Sequence, residues 1–272
     1  MTAMASVRER ELADALAALR ARLARAAEAA NRNPNEIELL PITKFFPASD
    51  VLILHRLGCR EFGESREQEA SNKCAEVGAV SGAEPIRWHM VGRIQRNKAR
   101  SIANWAYAAH SVDSAKLITA LDRAAREALE HGRRPAPLRV YLQLSLDGDE
   151  SRGGVDIGRP DSVDELCAAI AAADGLEFVG LMGIPPLNAD PDEAFLRLQE
   201  EKERVQKSYD QPLGLSAGMS SDLESAVKHG STCVRVGTAL MGQRPLTSPL
   251  VVTLVTSSSQ TPRLREAEGS HR

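Results

Sequence analysis

The apolar positions of this chain fall into short runs separated by longer amphipathic stretches. Residues Ser6 to Ala30 carry alanine, leucine and arginine at helical spacing, and Asn31-Arg32-Asn33-Pro34 closes that helix with turn chemistry. Eight short apolar or β-rich runs follow: Glu38–Thr43, Cys59–Phe62, Arg87–Val91, Tyr107–Val112, Leu138–Ser145, Glu177–Gly183, Gly214–Ser216 and Cys233–Val236. Between them lie stretches of helical period, such as Ser65–Glu76, Arg96–Asn104, Ser114–His131, Ser162–Ala172, Pro191–Gln206 and Ser221–His229. Strict alternation of this kind predicts parallel strands joined by right-handed crossovers. Eight such units in about 210 residues suit a compact (β/α)8 TIM barrel better than an open doubly wound sheet. Periodicity does not show closure, so at this level the open sheet remains an alternative.

The expected organisation is a single α/β domain. Residues 1–36 form an N-terminal helix packed on the barrel, and residues 37–245 form the barrel itself. Residues 246–272 change character: Thr, Ser, Pro and Gln dominate and the last ten positions are charged and without period, so a disordered tail is expected.

Composition narrows the class of partner. The chain has 272 residues with 34 basic against 37 acidic side chains, a net charge of −3, and no block of like charge. That balance gives no footprint for nucleic acid or an acidic membrane and points to a small molecule. Cys59, Cys74, Cys167 and Cys233 are scattered without CxxC spacing, which argues against a disulfide framework and a zinc site and for reduced thiols. The most apolar stretch, Cys167 to Leu187, is broken by Asp174, Glu177 and two prolines, so neither a leader nor a membrane span is expected. These features predict a cytoplasmic protein.

In a barrel, function belongs to the loops that follow the strands. Lys44 ends the first apolar run and is followed at once by Phe45-Phe46-Pro47. A lysine there either snorkels to water or has a counter-ion or a covalent task. The covalent task is a Schiff base, since desolvation leaves a lysine neutral and nucleophilic toward an aldehyde. The ends of the last two barrel strands, Leu215-Ser216-Ala217-Gly218-Met219-Ser220-Ser221-Asp222 and Val234-Arg235-Val236-Gly237-Thr238, are phosphate candidates. Small residues admit an anion to backbone N–H groups, and the hydroxyls of Ser216, Ser220 and Thr238 add donors. The plainer reading of the first segment is a strand–turn–helix with an N-cap serine.

Six motifs appear in order: Thr43-Lys44, Phe62-Gly63-Glu64, the run from Trp88-His89 through Gly92-Arg93 to Asn97-Lys98, Gly180-Leu181-Met182-Gly183-Ile184-Pro185, Leu215 to Asp222, and Gly230 to Thr238. Together they resemble the pyridoxal phosphate homeostasis protein family, single-domain relatives of the alanine racemase barrel, over roughly Ile37 to Gly242. The resemblance implies pyridoxal 5'-phosphate held as an internal aldimine on Lys44. It implies phosphate binding at Ser216, Gly237 and Thr238, with Gly218, Met219 and Ser220 lining the same loop, and Arg235 facing the pyridine nitrogen. One departure is visible: the family commonly has Gly-Glu-Asn where this chain has Gly63-Glu64-Ser65, which puts the asparagine's contact in question.

An arginine at the ring nitrogen has its own chemical consequence. The guanidinium is a permanent cation and only donates, so it keeps that nitrogen unprotonated and weakens the electron sink. Transamination and decarboxylation are disfavoured. Racemisation needs two bases on opposite faces, and in the two-domain racemases that the chain resembles the second is a tyrosine supplied across a dimer. Tyr107, Tyr141 and Tyr209 all lie outside the loops assigned to the site. His89 is as consistent with an interior histidine as with a cofactor neighbour, and Arg93, Arg96 and Lys98 with a solvated basic helix start. Glu64 alone is weak evidence for an acid or base, and Asp156 beside Arg152-Gly153-Gly154 belongs to a turn-rich segment that either covers the site or merely connects.

Three functions compete at this level. The favoured one is a cofactor-binding protein of vitamin B6 homeostasis that hands pyridoxal phosphate to apo-enzymes and is a monomer without catalysis of its own. The others are a weak pyridoxal phosphate-dependent amino-acid racemase and a Schiff-base aldolase acting on a phosphorylated aldehyde.

Overall fold

The structure is a computed structural model and describes residues 6–80 and 85–243. Its strands are β1 (Glu38–Pro41), β2 (Glu61–Glu64), β3 (Arg87–Met90), β4 (Ala106–Val112), β5 (Leu138–Ser145), β6 (Val155–Asp156), β7 (Leu176–Gly183), β8 (Gly214–Ser216) and β9 (Cys233–Val236). All pairings are parallel, in the order β1-β9-β8-β7-β5-β4-β3-β2, with the two-residue β6 beside the end of β5. The ends of that order meet through a bridge between Ile42 and Gly63, where the Thr43 N–H donates to the Gly63 carbonyl at 3.0 Å. Eight strands thus form a nearly closed barrel, as the alternation predicted. Gly63 permits the closure: a Cβ there would lie 2.4 Å from Ile42 Cδ1.

The second barrel strand begins later than the sequence pattern placed it. Gly58 turns the chain at φ +93°, and the Cys59 N–H still bonds back to the Leu54 carbonyl, so Cys59 completes the preceding helix instead of opening the strand. β6 was not anticipated, because two paired residues leave no periodicity to read.

The outer layer consists of α1 (Val7–Ala29), α2 (Ala48–Arg56), α3 (Glu67–Gly78), α4 (Ala99–Trp105), α5 (Ala115–Glu130), α6 (Pro160–Ala171), α7 (Pro191–Gln206), α8 (Leu223–Lys228) and α9 (Thr238–Met241). In α1 the Ser6 hydroxyl accepts from the Glu9 N–H and caps the first turn. Leu12, Leu16, Leu19 and Leu23 recur every three or four residues and are buried in one cluster with Val51, Leu54, Val227 and Met241 of α2, α8 and α9. Burial at about 2 kcal/mol per leucine makes this stripe the main anchor of α1. Arg8 adds a contact of 2.6 Å to the buried Asp50. A second cluster packs α5, α6 and α7 against β4, β5 and β7.

Inside the barrel the character changes. His89, His110, Gln143, Ser216 and Arg235 are all buried there beside the apolar shell. No described helix is long and apolar enough to cross a membrane. The tail expected over residues 246–272 lies outside the described residues.

Candidate functional site

A cavity of about 640 Å³ opens at the C-terminal ends of the strands. Lys44 enters it from the end of β1, Ser65 from β2, Arg93 from β3, Arg152 from the β5–β6 connection, Met219 and Ser220 from the end of β8, and Arg235, Gly237 and Thr238 from β9 and its turn. Among the described residues, four basic side chains and no carboxylate line it, which gives the wall a positive balance.

Lys44 is half-buried, and the backbone on either side of it is pinned by α3. The Lys73 ammonium donates to the Thr43 carbonyl at 2.8 Å, and the Phe45 N–H donates to Glu69 Oε1 at 2.5 Å. Phe45 has φ 70°, a left-handed conformation that costs a non-glycine residue about 1–2 kcal/mol and persists only where its surroundings impose it. Beneath this turn the buried Glu64 accepts from Thr43 Oγ1 and from Lys73, each at 2.6 Å. Glu64 itself does not line the cavity. Burial raises its carboxyl above the usual range, opposed by Lys73.

Arg235 is buried at the floor of the cavity. Its Nη1 donates to Ser216 Oγ at 2.6 Å and its Nη2 to the Gly183 carbonyl at 3.1 Å. Desolvation lowers its pKa, with no carboxylate in ion-pair contact among the described residues. Arginine nevertheless stays protonated at any physiological pH.

Six of the eight residues singled out from sequence therefore share one cavity: Lys44, Met219, Ser220, Arg235, Gly237 and Thr238. Ser216 and Gly218 stand behind the wall. Ser216 is wholly buried, its hydroxyl engaged by Arg235 and His110, which places it under the guanidinium. Gly218 turns the chain at φ +91°, where a Cβ would lie 2.5 Å from Ala226 Cβ. Arg93 donates to the Ser151 carbonyl at 3.3 Å and so touches the segment carrying Arg152. Lys98 pairs with Glu67 at 3.1 Å, and Arg96 is exposed away from the cavity.

Two buried polar positions beside the cavity escaped sequence reasoning. Lys73 looked like one more polar residue of an amphipathic helix, although its position four residues after Glu69 put it on the same face. His110 interrupts an otherwise apolar strand, and that interruption, beside His89 on the neighbouring strand, was the available signal. His89 itself lies below the cavity, in the barrel interior.

The fold and the site define an alanine racemase-type barrel. The alanine racemase N-terminal domain family matches residues 15–245. A pyridoxal phosphate homeostasis protein of Mycobacterium bovis is 65% identical over 248 residues, covering 89% of this chain and 96% of that protein. One from Corynebacterium glutamicum is 45% identical, covering 79% and 94%. Among solved structures, PipY of Synechococcus elongatus with PLP bound superposes with a TM-score of 0.70 at 32% identity, covering 85% of this chain and all of the other. This chain belongs to the pyridoxal phosphate homeostasis protein family.

Proposed function

We propose that this protein binds pyridoxal 5'-phosphate through Lys44 and serves vitamin B6 homeostasis as a carrier that delivers the cofactor to apo-enzymes. The observation that carries this reading is the cavity that Lys44 and Arg235 share, with four cations and no carboxylate on its wall among the described residues. When bound, pyridoxal phosphate supplies an aldehyde that condenses with an amine, a C=N bond forming as water leaves, and a phosphate that carries negative charge. Lys44 offers the amine. The hydroxyls of Ser220 and Thr238 and the small residue Gly237 suit the phosphate, and Arg93 and Arg152 add positive charge at the mouth. Arg235 offers only N–H donors to a pyridine nitrogen, which leaves that nitrogen unprotonated.

The same wall disfavours turnover. No tyrosine lines the cavity among the described residues: Tyr141 stacks on His110 and Tyr209 packs on Phe178. Racemisation would therefore want a second acid–base group opposite Lys44. The scattered thiols, all free in the structure, suit a cytoplasmic carrier, and a monomer suffices for a cavity built within one chain.

The test is the visible spectrum of the purified protein before and after borohydride reduction, with peptide mapping of any pyridoxyl adduct. We expect an adduct on Lys44 that disappears in Lys44→Ala while the thermal unfolding profile survives. An adduct on another lysine, or no uptake of added pyridoxal phosphate, overturns the reading. Rapid α-proton exchange on an amino acid would replace the carrier by an enzyme.

A further inference from the structure

Below Arg235 the barrel interior holds an unbroken line of polar contacts that the binding of a cofactor does not require. Arg235 has no lone pair to offer, so at 2.6 Å from its Nη1 the Ser216 oxygen must be the acceptor. We assign the remaining serine proton to His110 Nδ1, 2.8 Å away. Desolvation, with smaller contributions from His89, Arg235 and Arg139, holds the His110 pKa well below the usual value, so the ring is neutral. A neutral imidazole that accepts at Nδ1 carries its proton on Nε2.

The logic repeats one strand further on. His110 Nε2 lies 2.8 Å from His89 Nδ1, so His89 accepts there and carries its own proton on Nε2. That nitrogen lies 2.7 Å from Glu61 Oε2, with the oxygen off the N–H axis, which makes this the loosest link. Glu61 is also 2.5 Å from Arg87. Burial works against the Glu61 charge, yet His89, Arg87 and Arg139 outweigh it and the carboxyl is lowered. The line begins at a group that can only donate and ends at one that only accepts. With a hydrogen on each Nε2, every contact along the line is a donor facing an acceptor, the off-axis one from His89 to Glu61 being the weakest.

The lower end opens on a second, small cavity of about 140 Å³ at the N-terminal face of the barrel, lined by Glu38, Glu61, His89, Arg139, Tyr141 and Cys233 among others. We propose that Ser216, His110, His89 and Glu61 form a directional hydrogen-bond relay through the barrel, which positions Arg235 from beneath and transmits the charge of the lower cavity to the cofactor pocket. These are positioning residues, and the cofactor half of the proposal rests on the function proposed above. Several neighbouring elements contribute groups that bear on its charge. From β4 the Tyr107 ring lies 5.6 Å from His89, and its hydroxyl accepts from Arg139 of β5 at 2.6 Å. Tyr141, also from β5, stacks on His110 at 4.4 Å. From β1, Glu38 faces Glu61, and its carboxyl is raised by desolvation first and by Glu61 second. From β9, burial raises the Cys233 thiol to about 12, so it stays protonated.

The experiment has two arms. Nitrogen NMR of the histidine rings, on the full chain without added cofactor, reads the tautomers directly. We expect both His89 and His110 neutral at pH 7 with the proton on Nε2. A proton on Nδ1 of either ring, or an imidazolium, overturns the relay, and this arm needs neither a variant nor bound cofactor. The second arm loads the protein with pyridoxal phosphate and follows its visible absorbance against pH. Glu61→Gln, close in shape and without the charge, is expected to shift the midpoint by about half a pH unit or more. An unchanged midpoint overturns the transmission. A protein that takes up no pyridoxal phosphate fails the proposed function and leaves the first arm to decide the relay.

Discussion

The Lys73 ammonium lies 2.6 Å from Glu64 Oε1, and both side chains are withdrawn from water, at 5% and 0% exposure. The same ammonium reaches the Thr43 carbonyl and, at 3.3 Å, Glu69, so all three of its hydrogens have acceptors. The pair thus fastens the residue before Lys44 to α3. Lys73→Met removes the cation and leaves Glu64 buried against the Thr43 hydroxyl alone. Breaking a buried pair from one side costs about 3–5 kcal/mol. Urea unfolding is expected to show a loss of that size, and the variant should take up pyridoxal phosphate more slowly than the parent. A loss below about 0.5 kcal/mol, the scale of a surface substitution, would mean that the pair is not a fastening.

Gly92 lies where β3 passes the end of β2. A Cβ on it would sit 2.1 Å from the Ser65 carbonyl oxygen, which is backbone and cannot swing aside. Gly92→Ala is therefore expected to cost about 1–3 kcal/mol as an overpacked contact. Because Ser65 lines the cavity, the same variant should also hold pyridoxal phosphate less tightly. Equilibrium dialysis and denaturant unfolding measure the two effects, and normal values of both would contradict the crowding.

Thr238 separates binding from stability. It is exposed at the start of α9 and lines the cavity, so its hydroxyl has little to do for the fold. Thr238→Ala is expected to leave unfolding free energy within about 0.5 kcal/mol. One lost bond to a charged phosphate weakens cofactor affinity about tenfold. A fluorescence titration with pyridoxal phosphate checks this, and unchanged affinity removes Thr238 from the phosphate end.

The interior histidines predict how stability depends on pH. Desolvation is the largest influence on both, and both have pKa values lowered in the folded state. The unfolded chain therefore binds more protons in the window below the ordinary histidine pKa. Their contribution is fully present above about pH 6.5 and is lost as the pH falls toward the folded values. Between pH 6.5 and 5.5 the unfolding free energy should fall by up to about 1.4 kcal/mol per pH unit for each histidine. His110→Gln should flatten that slope, and a parent profile already flat in this window would mean that the histidines are not buried neutral.

The helices and strands of this protein follow from local pattern. The leucine stripe of α1 has to face a core, and its serine cap and asparagine turn mark both ends within the chain itself. Parallel runs alternating with helices admit few topologies, so the barrel was legible, and with it the strand ends that line its cavity, Lys44, Arg235 and Thr238 among them. What the linear order does not contain is which strand ends meet. Closure depends on Ile42 lying over a bare Gly63, a contact across 21 positions that periodicity cannot register. Polar residues on interior faces are equally silent, because a strand's alternation states which side a residue takes and not what waits there. Only the assembled barrel sets Ser216 under a guanidinium, lines His110 up with His89, and turns Lys73 inward to pin the residue before Lys44.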